Sequence, residues 1–265
     1  MGPKPPDDVV TLAERRAEAR RQRDFAEADR LRDEMAAAGW LVLDRPDGFE
    51  LEPVPQRRPM SIVADLHSWP EDGERFFASV AEQQLPDGGF EVVEVVPTSG
   101  FAWDRNAALA QADAEIVAFV DTSLEVTGDL LGVLMSALED PTVAVVGPFG
   151  LVSADLREYE ERTTGDVVAI QGYCLAARRE DLMAVGGYRE SFAFYRNADI
   201  DLSLRLRAAG GAVRRAVAAG AEHCQRHAHR DWEETPPDER DALSRKNMRR
   251  ILDRFGDRVG DLTVG

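Results

Sequence analysis

The segment that most limits the possible folds is IVAFV, from Ile116 to Val120. All of its residues are apolar, so it has no polar face for a half-exposed helix, and it predicts a strand covered on both sides. Such strands are typical of parallel sheets. The strand ends at Asp121, at the edge where open α/β sheets bind ligands. Asp121 is therefore a candidate site residue, although an acid in this place can also serve only to cap the loop.

Strand and helix patterns alternate around this segment. Helical spacing of apolar residues covers 71–83, 102–112 and 129–138, and strand patterns cover 61–64, 90–96, 115–120 and 142–146. Strand–helix–strand units with right-handed crossovers predict an α/β fold, with a mostly parallel, Rossmann-like sheet and helices on both faces. Beyond Gly150 we expect a polar surface excursion over 151–164, then a strand over 167–176, a helix over 199–209, a strand over 212–217 and a last helix over 237–255.

The first part of the chain has a different pattern. Residues 9–38 predict two antiparallel helices, the second of which begins at Asp24. A Pro-Asp-Gly turn at 46–48 between two apolar runs predicts a short β-hairpin. The segment PVPQRRP at 53–59 is typical of a linker. We therefore predict two parts, a helical-hairpin module over 1–58 and an α/β domain over 59–265.

Composition restricts the class of protein. The 265 residues carry a formal net charge of −17, which disfavours a nucleic-acid groove because such surfaces need clustered Lys and Arg. No apolar run reaches the roughly 18 to 20 residues of a membrane span, and the start MGPKPPDD does not resemble a signal peptide. We expect a cytoplasmic protein. Its two cysteines, Cys174 and Cys224, predict no disulfide framework.

The N-terminal letters RRAEARRQRDFAEADRLRDEMAAAGWLVLDRPDG, over 15–48, resemble the C-terminal segment of cysteinyl-tRNA synthetases. The resemblance implies contact with a structured RNA, with tRNA as a possible partner. Arg16, Arg20 and Arg23 lie on one helical stripe, as phosphate contacts require. Glu14 and Glu18 lie beside them, however, and a solvated, salt-bridged helix face is the alternative.

Five fragments of the second part occur in the order and spacing of one enzyme family. They are GFAWDRNAALAQA (100–112), IVAFVDTSLEVTGDLL (116–131), VAVVGP (143–148), GYCLAARREDLMAVGGY (172–188) and FYRNADIDLSLRLRAAG (194–210), and a strand that closes on His223 follows them. Together they resemble glycosyltransferase family 2 with the GT-A fold. The resemblance implies transfer of a sugar from a nucleotide-diphosphate sugar to an acceptor hydroxyl, with inversion at the sugar.

The resemblance also implies roles for single residues. Asp121 matches the first acid of the family's DxD motif and His223 the later histidine, and the two would hold a divalent metal, Mn or Mg. Asp199 and Asp201 match the motif that supplies the catalytic base. The residues that would contact the donor are Asp65, Arg105, Asn106, Asp121 and Ser123.

The chain departs from the family pattern at several of these places. Ser123 stands where the DxD motif has its last acid, and Ala198 stands where the family has a glutamate. Residues 95–99 lack the aspartate expected after the second strand. Three alternatives stay open: an active transferase, a catalytically degenerate domain that binds or senses nucleotides, and a tRNA-associated protein.

Two other readings concern the segment around His223. His223, Cys224, His227 and His229 could form a zinc site, although four ligands rarely come from one short stretch. A basic patch that suits a diphosphate is the second possibility, and its members are Arg214, Arg215, Arg226 and Arg230.

Overall fold

A computed structural model describes residues 4–45, 48–53, 59–83 and 89–263. Contacts divide the chain into two compact units, Met1–Gln56 and Arg57–Gly265. Most of the linker predicted over 53–59, and the Pro46-Asp47 part of the predicted turn, lie outside the described residues.

The N-terminal unit contains two helices followed by two antiparallel strands. They are α1 (Asp7–Arg21), α2 (Phe25–Ala37), β1 (Trp40–Arg45) and β2 (Gly48–Pro53). The Asp24 side chain accepts a hydrogen bond from the Glu27 amide at 3.1 Å and caps α2, as its place before the apolar pattern predicts. Val9, Met35 and Trp40 form the small core that joins the helices to the strands.

Two arginines of the predicted stripe, Arg16 and Arg20, are paired inside this unit. Arg16 is buried, and its Nη1 lies 2.8 Å from Asp44 Oδ1. Arg20 reaches the other oxygen of the same carboxylate at 2.9 Å. These pairs favour the salt-bridged interpretation of the stripe over phosphate contact.

The second unit is built from strands and helices that alternate in its first half. Its strands are β3 (Met60–Ala64), β4 (Phe90–Glu94), β5 (Ile116–Val120), β6 (Leu124–Val126), β7 (Val143–Gly147), β8 (Gly150–Val152), β9 (Glu160–Arg162), β10 (Gly165–Val167), β11 (Ala169–Ile170), β12 (Cys174–Arg178), β13 (Arg215–Ala218) and β14 (Cys224–Arg226). Its helices are α3 (Pro70–Ala81), α4 (Phe101–Leu109), α5 (Leu130–Glu139), α6 (Arg179–Ala184), α7 (Ala198–Ala208), α8 (Arg230–Glu234), α9 (Pro237–Phe255) and α10 (Val259–Leu262).

A seven-stranded sheet of order β10-β13-β7-β12-β5-β3-β4 forms the centre of this unit. Strands β4, β3, β5, β7 and β13 run in one direction, and β12 and β10 run against them. The predicted mostly parallel α/β sheet is confirmed. No helix separates β7 from β12 in the described chain, and without a helical crossover β12 can enter the sheet antiparallel.

Helices cover both faces of the sheet, as predicted. Successive residues of β3 point to opposite sides. Ile62 belongs to the cluster that contains Phe76 of α3, and Val63 belongs to the cluster that contains Leu109 of α4 and Leu204 of α7. The apolar run of β5 is thus buried from both sides, which is why it lacks a polar face.

One prediction beyond Gly150 is wrong in detail, and a second is incomplete. The single strand expected over 167–176 is three short strands, β10, β11 and β12. The expected surface excursion over 151–164 contains β9 and the end of β8, which pair in a small sheet of order β11-β8-β9. Among the described helices, none combines the length and the apolar character that crossing a membrane requires.

Candidate active site

A cleft of about 760 Å³ opens where β5 ends. Its other walls are formed by helix α4, β8 and the loop after it, the loop after β11, the start of α7, helix α9 and the segment 227–233. It contains both acids and cations; those discussed below are Arg105, Asp121, Arg157, Asp199, His229 and Arg245. A cleft at the carboxyl end of a central strand is where the sequence predicts a ligand.

Asp121 occupies the wall formed by β5. Its Oδ1 accepts hydrogen bonds from the Ser123 amide at 2.9 Å and the Ser123 hydroxyl at 2.5 Å, and its Oδ2 lies 3.2 Å from Nε2 of His229. Burial opposes ionisation of Asp121. The hydrogen bond and charge of His229, with the Ser123 bonds, outweigh burial and lower the pKa of Asp121 to about 2. Asp121 is therefore a carboxylate whose two oxygens both have partners.

His229 is held on its other side by an aromatic ring. Tyr195 stacks on the imidazole with a centroid distance of 4.4 Å and an interplanar angle of 16°. Burial disfavours the imidazolium, but the hydrogen bond and charge of Asp121 outweigh it and raise the pKa of His229. Its Nδ1 is buried and has no hydrogen-bond partner among the described residues.

The predicted histidine, His223, does not meet Asp121 in the structure. Its carbonyl accepts from the amides of Thr127 and Gly128, and its Nε2 lies 3.7 Å from Glu222. It is absent from the described residues that line the cleft. Strand β14 pairs with β6, so the chain reaches Asp121 only after that strand, and a histidine beyond it makes the contact. The sequence could not show this pairing, and spacing alone does not distinguish a histidine before a short strand from one after it. This is why His223 was predicted in place of His229.

Asp65 and Ser123 line a recess of about 20 Å³ that adjoins the cleft. Asp65 accepts from the His67 and Ser68 amides at 3.0 and 2.9 Å, so it caps the turn after β3. Arg105, Asp121 and His229 line both cavities.

The segment that carries His229 forms one wall of this recess. Arg230 donates to Asp72 at 3.0 Å, and the Trp69 indole donates to Asp231 at 3.2 Å. These contacts link α8 to α3 and leave the recess small.

The two predicted base residues have different environments. Asp199 lines the cleft, where its Oδ2 accepts from the Gly172 amide at 2.8 Å, and burial raises its pKa. Asp201 is fully buried outside the cleft lining and pairs with Arg205 at 2.7 Å. Of the two, only Asp199 is placed to accept a proton from a ligand in the cleft.

The two predicted donor residues of α4 also differ. The Arg105 guanidinium lies 3.9 Å from the centroid of the Phe101 ring and makes no hydrogen bond or ion pair with another described residue. The Asn106 side chain instead holds the Tyr188 backbone. Its Nδ2 donates to the Tyr188 carbonyl at 2.6 Å, and its Oδ1 accepts from the Tyr188 backbone amide at 2.7 Å. Arg105 is free to meet a ligand, and Asn106 is not.

Asp104 is a structural residue that the sequence reasoning missed. It accepts from the amides of Thr98, Ser99 and Gly100 at 3.0, 2.9 and 3.0 Å. Burial opposes its ionisation, but these bonds prevail and lower its pKa. Asp104 thus fixes the loop after β4. An acid in the first turn of a helix, after Thr-Ser-Gly, was the available signal.

The basic patch predicted around the histidines is not a free surface. Its four arginines each pair with an acid: Arg214 with Asp181, Arg215 with Asp166, Arg226 with Glu161 and Arg230 with Asp72. The zinc alternative also lacks support, since in the described part of the chain no three His, Cys, Asp or Glu side chains form a group that could hold a metal.

Residues 70–203, which are 134 of the 265 residues, match the family model "Glycosyl transferase family 2". The chain belongs to glycosyltransferase family 2. Solved transferase structures have the same fold. GalNAc-T7 with UDP, GalNAc and Mn²⁺ has a TM-score of 0.59 at 13% identity and covers 80% of this chain and 51% of its own. The mannosyltransferase PcManGT of Pyrobaculum calidifontis, with GDP-Man and Mn²⁺, has a TM-score of 0.54 at 17% identity over 96% and 79%. The GT-A prediction is confirmed.

The N-terminal unit has relatives of its own. Residues 3–50 match the model "Cysteinyl-tRNA ligase anticodon binding domain". The cysteine–tRNA ligase of Opitutus terrae is 58% identical over 48 residues, and that of Caldicellulosiruptor saccharolyticus is 45% identical over 47 residues. Each match covers 18% of this chain and 10% of the ligase. The chain thus spans about a tenth of the length of these curated relatives, and the likeness concerns one module.

Whether this family 2 site fits a divalent metal depends on the side chains that could coordinate it. Asp121 Oδ2 and His229 Nε2 face each other, and Ser123 donates its hydroxyl to Asp121 Oδ1. A neutral hydroxyl is a far weaker ligand than a carboxylate for Mg²⁺ or Mn²⁺. Because the described residues contain no group of three His, Cys, Asp or Glu side chains that could hold a metal, the side chains do not by themselves fit the metal that the resemblance implies.

Proposed function

We propose that this chain transfers a sugar from a nucleotide-diphosphate sugar to an acceptor hydroxyl. The observation that carries the proposal is the common cleft of Asp121, at the end of β5, and Asp199, at the start of α7. One is a fixed carboxylate on the donor side, and the other is a carboxyl with a raised pKa that suits proton transfer. The folds of transferases solved with UDP or GDP-Man support the choice of donor class.

In the proposed reaction the acceptor oxygen attacks the anomeric carbon of the sugar. The bond between that carbon and the phosphate oxygen breaks, and the nucleoside diphosphate leaves with the electron pair. The acceptor proton moves to Asp199, the one predicted base residue that lines the cleft. Attack opposite the leaving group gives inversion.

The leaving diphosphate gains negative charge, so the site must supply cations. Arg105 is suited to this role, because its guanidinium pairs with no acid among the described residues and lines both the cleft and the recess. Charge-assisted hydrogen bonds from a guanidinium to phosphate oxygens are among the strongest in proteins. We therefore expect Arg105 to bind the diphosphate in the ground state and in the transition state.

A melting experiment with UDP and GDP tests the donor site. A nucleotide at 100 times its Kd that binds only the folded state stabilises by about 2.7 kcal/mol. For a domain of this size, that corresponds to a rise in Tm of roughly 5 to 10 °C. Arg105→Ala should reduce the rise, and Arg249→Ala, an exposed arginine absent from the described lining of the cleft, should not. If neither nucleotide shifts the wild-type Tm, the proposal fails.

A second function, nucleotide sensing without catalysis, is favoured by the small volume of the recess. The Asp121–His229 pair and the Arg230–Asp72 pair both hold its walls together. Release of UDP or GDP from matching sugar donors, measured with a mixed panel of acceptors, separates the two functions. A nucleotide-dependent Tm rise without turnover on any acceptor would favour sensing.

A further inference from the structure

We propose that the cleft binds an acceptor that carries a phosphate or carboxylate group close to its reacting hydroxyl, and that Arg157 and Arg245 hold this anionic group. This inference rests on the proposed function, because it names the acceptor class of that reaction. It depends on a different part of the cleft from the donor residues.

Arg157 and Arg245 lie apart from the residues expected to contact the nucleotide-sugar donor. Asp65 and Ser123 line the recess, and Arg105, Asp121 and His229 are the residues common to the described linings of both cavities. Arg157 and Arg245 line the cleft but not the recess. A donor held at the boundary by Arg105 leaves the remaining part of the cleft, where Arg157, Arg245 and also Arg196 lie, for the acceptor.

A fixed loop presents Arg157. The preceding residue, Leu156, is fully buried although its φ is 60°, a backbone conformation that bulky residues rarely adopt. Ser153 Oγ accepts from the Leu156 amide at 2.8 Å, and Asp155 Oδ1 accepts from the Arg157 amide at 2.8 Å. The anchored Leu156 and the two hydrogen bonds determine where the Arg157 side chain leaves the loop.

Helix α9 presents Arg245 from another wall of the cleft. The side-chain Nδ2 of Asn247 donates to the Phe194 and Arg196 carbonyls at 3.0 and 2.8 Å. The side-chain Nδ2 of Asn197 donates to the Ser244 carbonyl at 3.2 Å. These bonds fasten α9 to the segment that leads into α7. Arg245 is therefore held at a defined place relative to Asp199, the proposed base.

Neither guanidinium forms an ion pair or hydrogen bond with another described residue. Arg105 and Arg196, which also line the cleft, pair with no described acid either, so the cleft gathers four such arginines in a chain of net charge −17. The acids that line the cleft are Asp121, Asp199 and Glu233. Asp121 is already paired with His229, so the cations of the cleft exceed the acids left to balance them.

Two uncharged donors complete the pocket. The hydroxyl oxygens of Tyr159 and Ser244 are buried, and each lacks a hydrogen-bond partner within the described chain. Both residues line the cleft. Buried hydroxyls without partners are costly, and an acceptor rich in oxygen atoms would satisfy them.

Calorimetric titration of the full chain, saturated with UDP, tests the anionic subsite. The probes are glycerol 3-phosphate and glycerate, with glycerol as the uncharged match. We expect at least one anion to bind roughly tenfold or more tightly than glycerol, as charge-assisted bonds predict. Arg157→Ala and Arg245→Ala should each weaken it about tenfold and leave the UDP affinity unchanged. Arg249→Ala should change neither affinity.

The outcomes separate this inference from the proposed function. Equal binding of glycerol and both anions, or wild-type anion affinity in both variants, would overturn the subsite while UDP binding stands. If UDP does not bind but the anions bind through Arg157 and Arg245, the donor proposal fails and the anion site remains. Preference for glycerol 3-phosphate identifies a phosphate acceptor, and preference for glycerate identifies a carboxylate.

Discussion

His229 Nε2 lies 3.2 Å from Asp121 Oδ2, and this contact joins the segment after β14 to the end of the central strand. The side chains are 17% and 19% exposed, so water screens their attraction only in part. The pair occupies the carboxylate that the family resemblance assigns to a metal. It also forms a wall shared by the cleft and the recess.

This pair predicts a window of pH-dependent stability. The lowered pKa of Asp121 adds stability above its ordinary value of 3.8, which is lost as pH falls towards about 2. The raised pKa of His229 adds stability below its ordinary value of 6.5, which is lost as pH rises through the raised value. We expect His229→Asn to cost about 1 to 2 kcal/mol near pH 5 and less outside this window.

Urea unfolding from pH 3 to 9 measures the effect. His67→Asn is the matched control, because His67 forms an exposed pair with Glu94 that should contribute little. A destabilisation by His229→Asn that is the same at pH 5 and pH 9 would show that the imidazole acts by packing and not by charge.

Asp199 and Asp201 should respond to the same substitution in opposite ways. Asp199→Asn keeps an oxygen for the Gly172 amide, so stability should change little, whereas kcat should fall by about 10² to 10⁴ if Asp199 is the base. Asp201→Asn leaves Arg205 without its buried charge partner and should lower the free energy of unfolding by about 3 kcal/mol.

Initial-rate kinetics and chemical unfolding of both variants check this contrast. Asp238→Asn, an exposed acid in the first turn of α9, serves as the neutral control. Full turnover in the Asp199→Asn variant would show that Asp199 is not the base. Unchanged stability in Asp201→Asn would mean that the Arg205 pair is not the structural contact we infer.

Ser123→Asp should create a metal requirement. Ser123 is 2% exposed, so a carboxylate there lies beside Asp121 in a poorly solvated place, where two like charges repel. We expect a lower Tm in EDTA that Mn²⁺ restores, whereas Mn²⁺ alone should leave the wild-type Tm unchanged. The exposed Ser191→Asp is the control. A wild-type Tm that rises with Mn²⁺ alone would contradict our conclusion that the side chains of this site do not fit the metal.

The N-terminal unit should not retain tRNA despite its ligase relatives. Arg16 and Arg20 pair with Asp44, and Arg15 pairs with Glu27, so few guanidiniums are free for phosphate contacts. A low-salt pulldown with total tRNA should give the same signal for the full chain and for a chain lacking residues 1–58. A signal that disappears with the truncation would establish RNA contact.

Local patterns predicted the long elements well. Helix α9 was expected over 237–255 and spans Pro237–Phe255, because its apolar positions recur over five turns; the short α10 that follows it was not predicted. Strands β10 and β11 were merged with β12, since strands of two or three residues are defined by their partners across the sheet. Sequence periodicity contains no information about those partners.

The candidate site was predictable where it depends on the ends of elements. Asp121 follows a strand, and Asp199 begins a helix, so both positions follow from the local pattern. His229 depends on the β6–β14 pairing, and the Asp104 contacts depend on how the loop before α4 folds back. The engagement of Asn106 with Tyr188 joins residues 82 positions apart, which no single-sequence signal indicates.

The β6–β14 ladder has an evolutionary consequence. It aligns Arg226 with Leu124, and His227 extends the alignment by donating its amide to the Ser123 carbonyl at 2.7 Å. Only Ala228 then separates His227 from His229. Insertion or deletion of one residue at this spacer would separate the imidazole from Asp121 without disturbing the β6–β14 pairs. Related chains can therefore gain or lose the His229–Asp121 contact through a single codon.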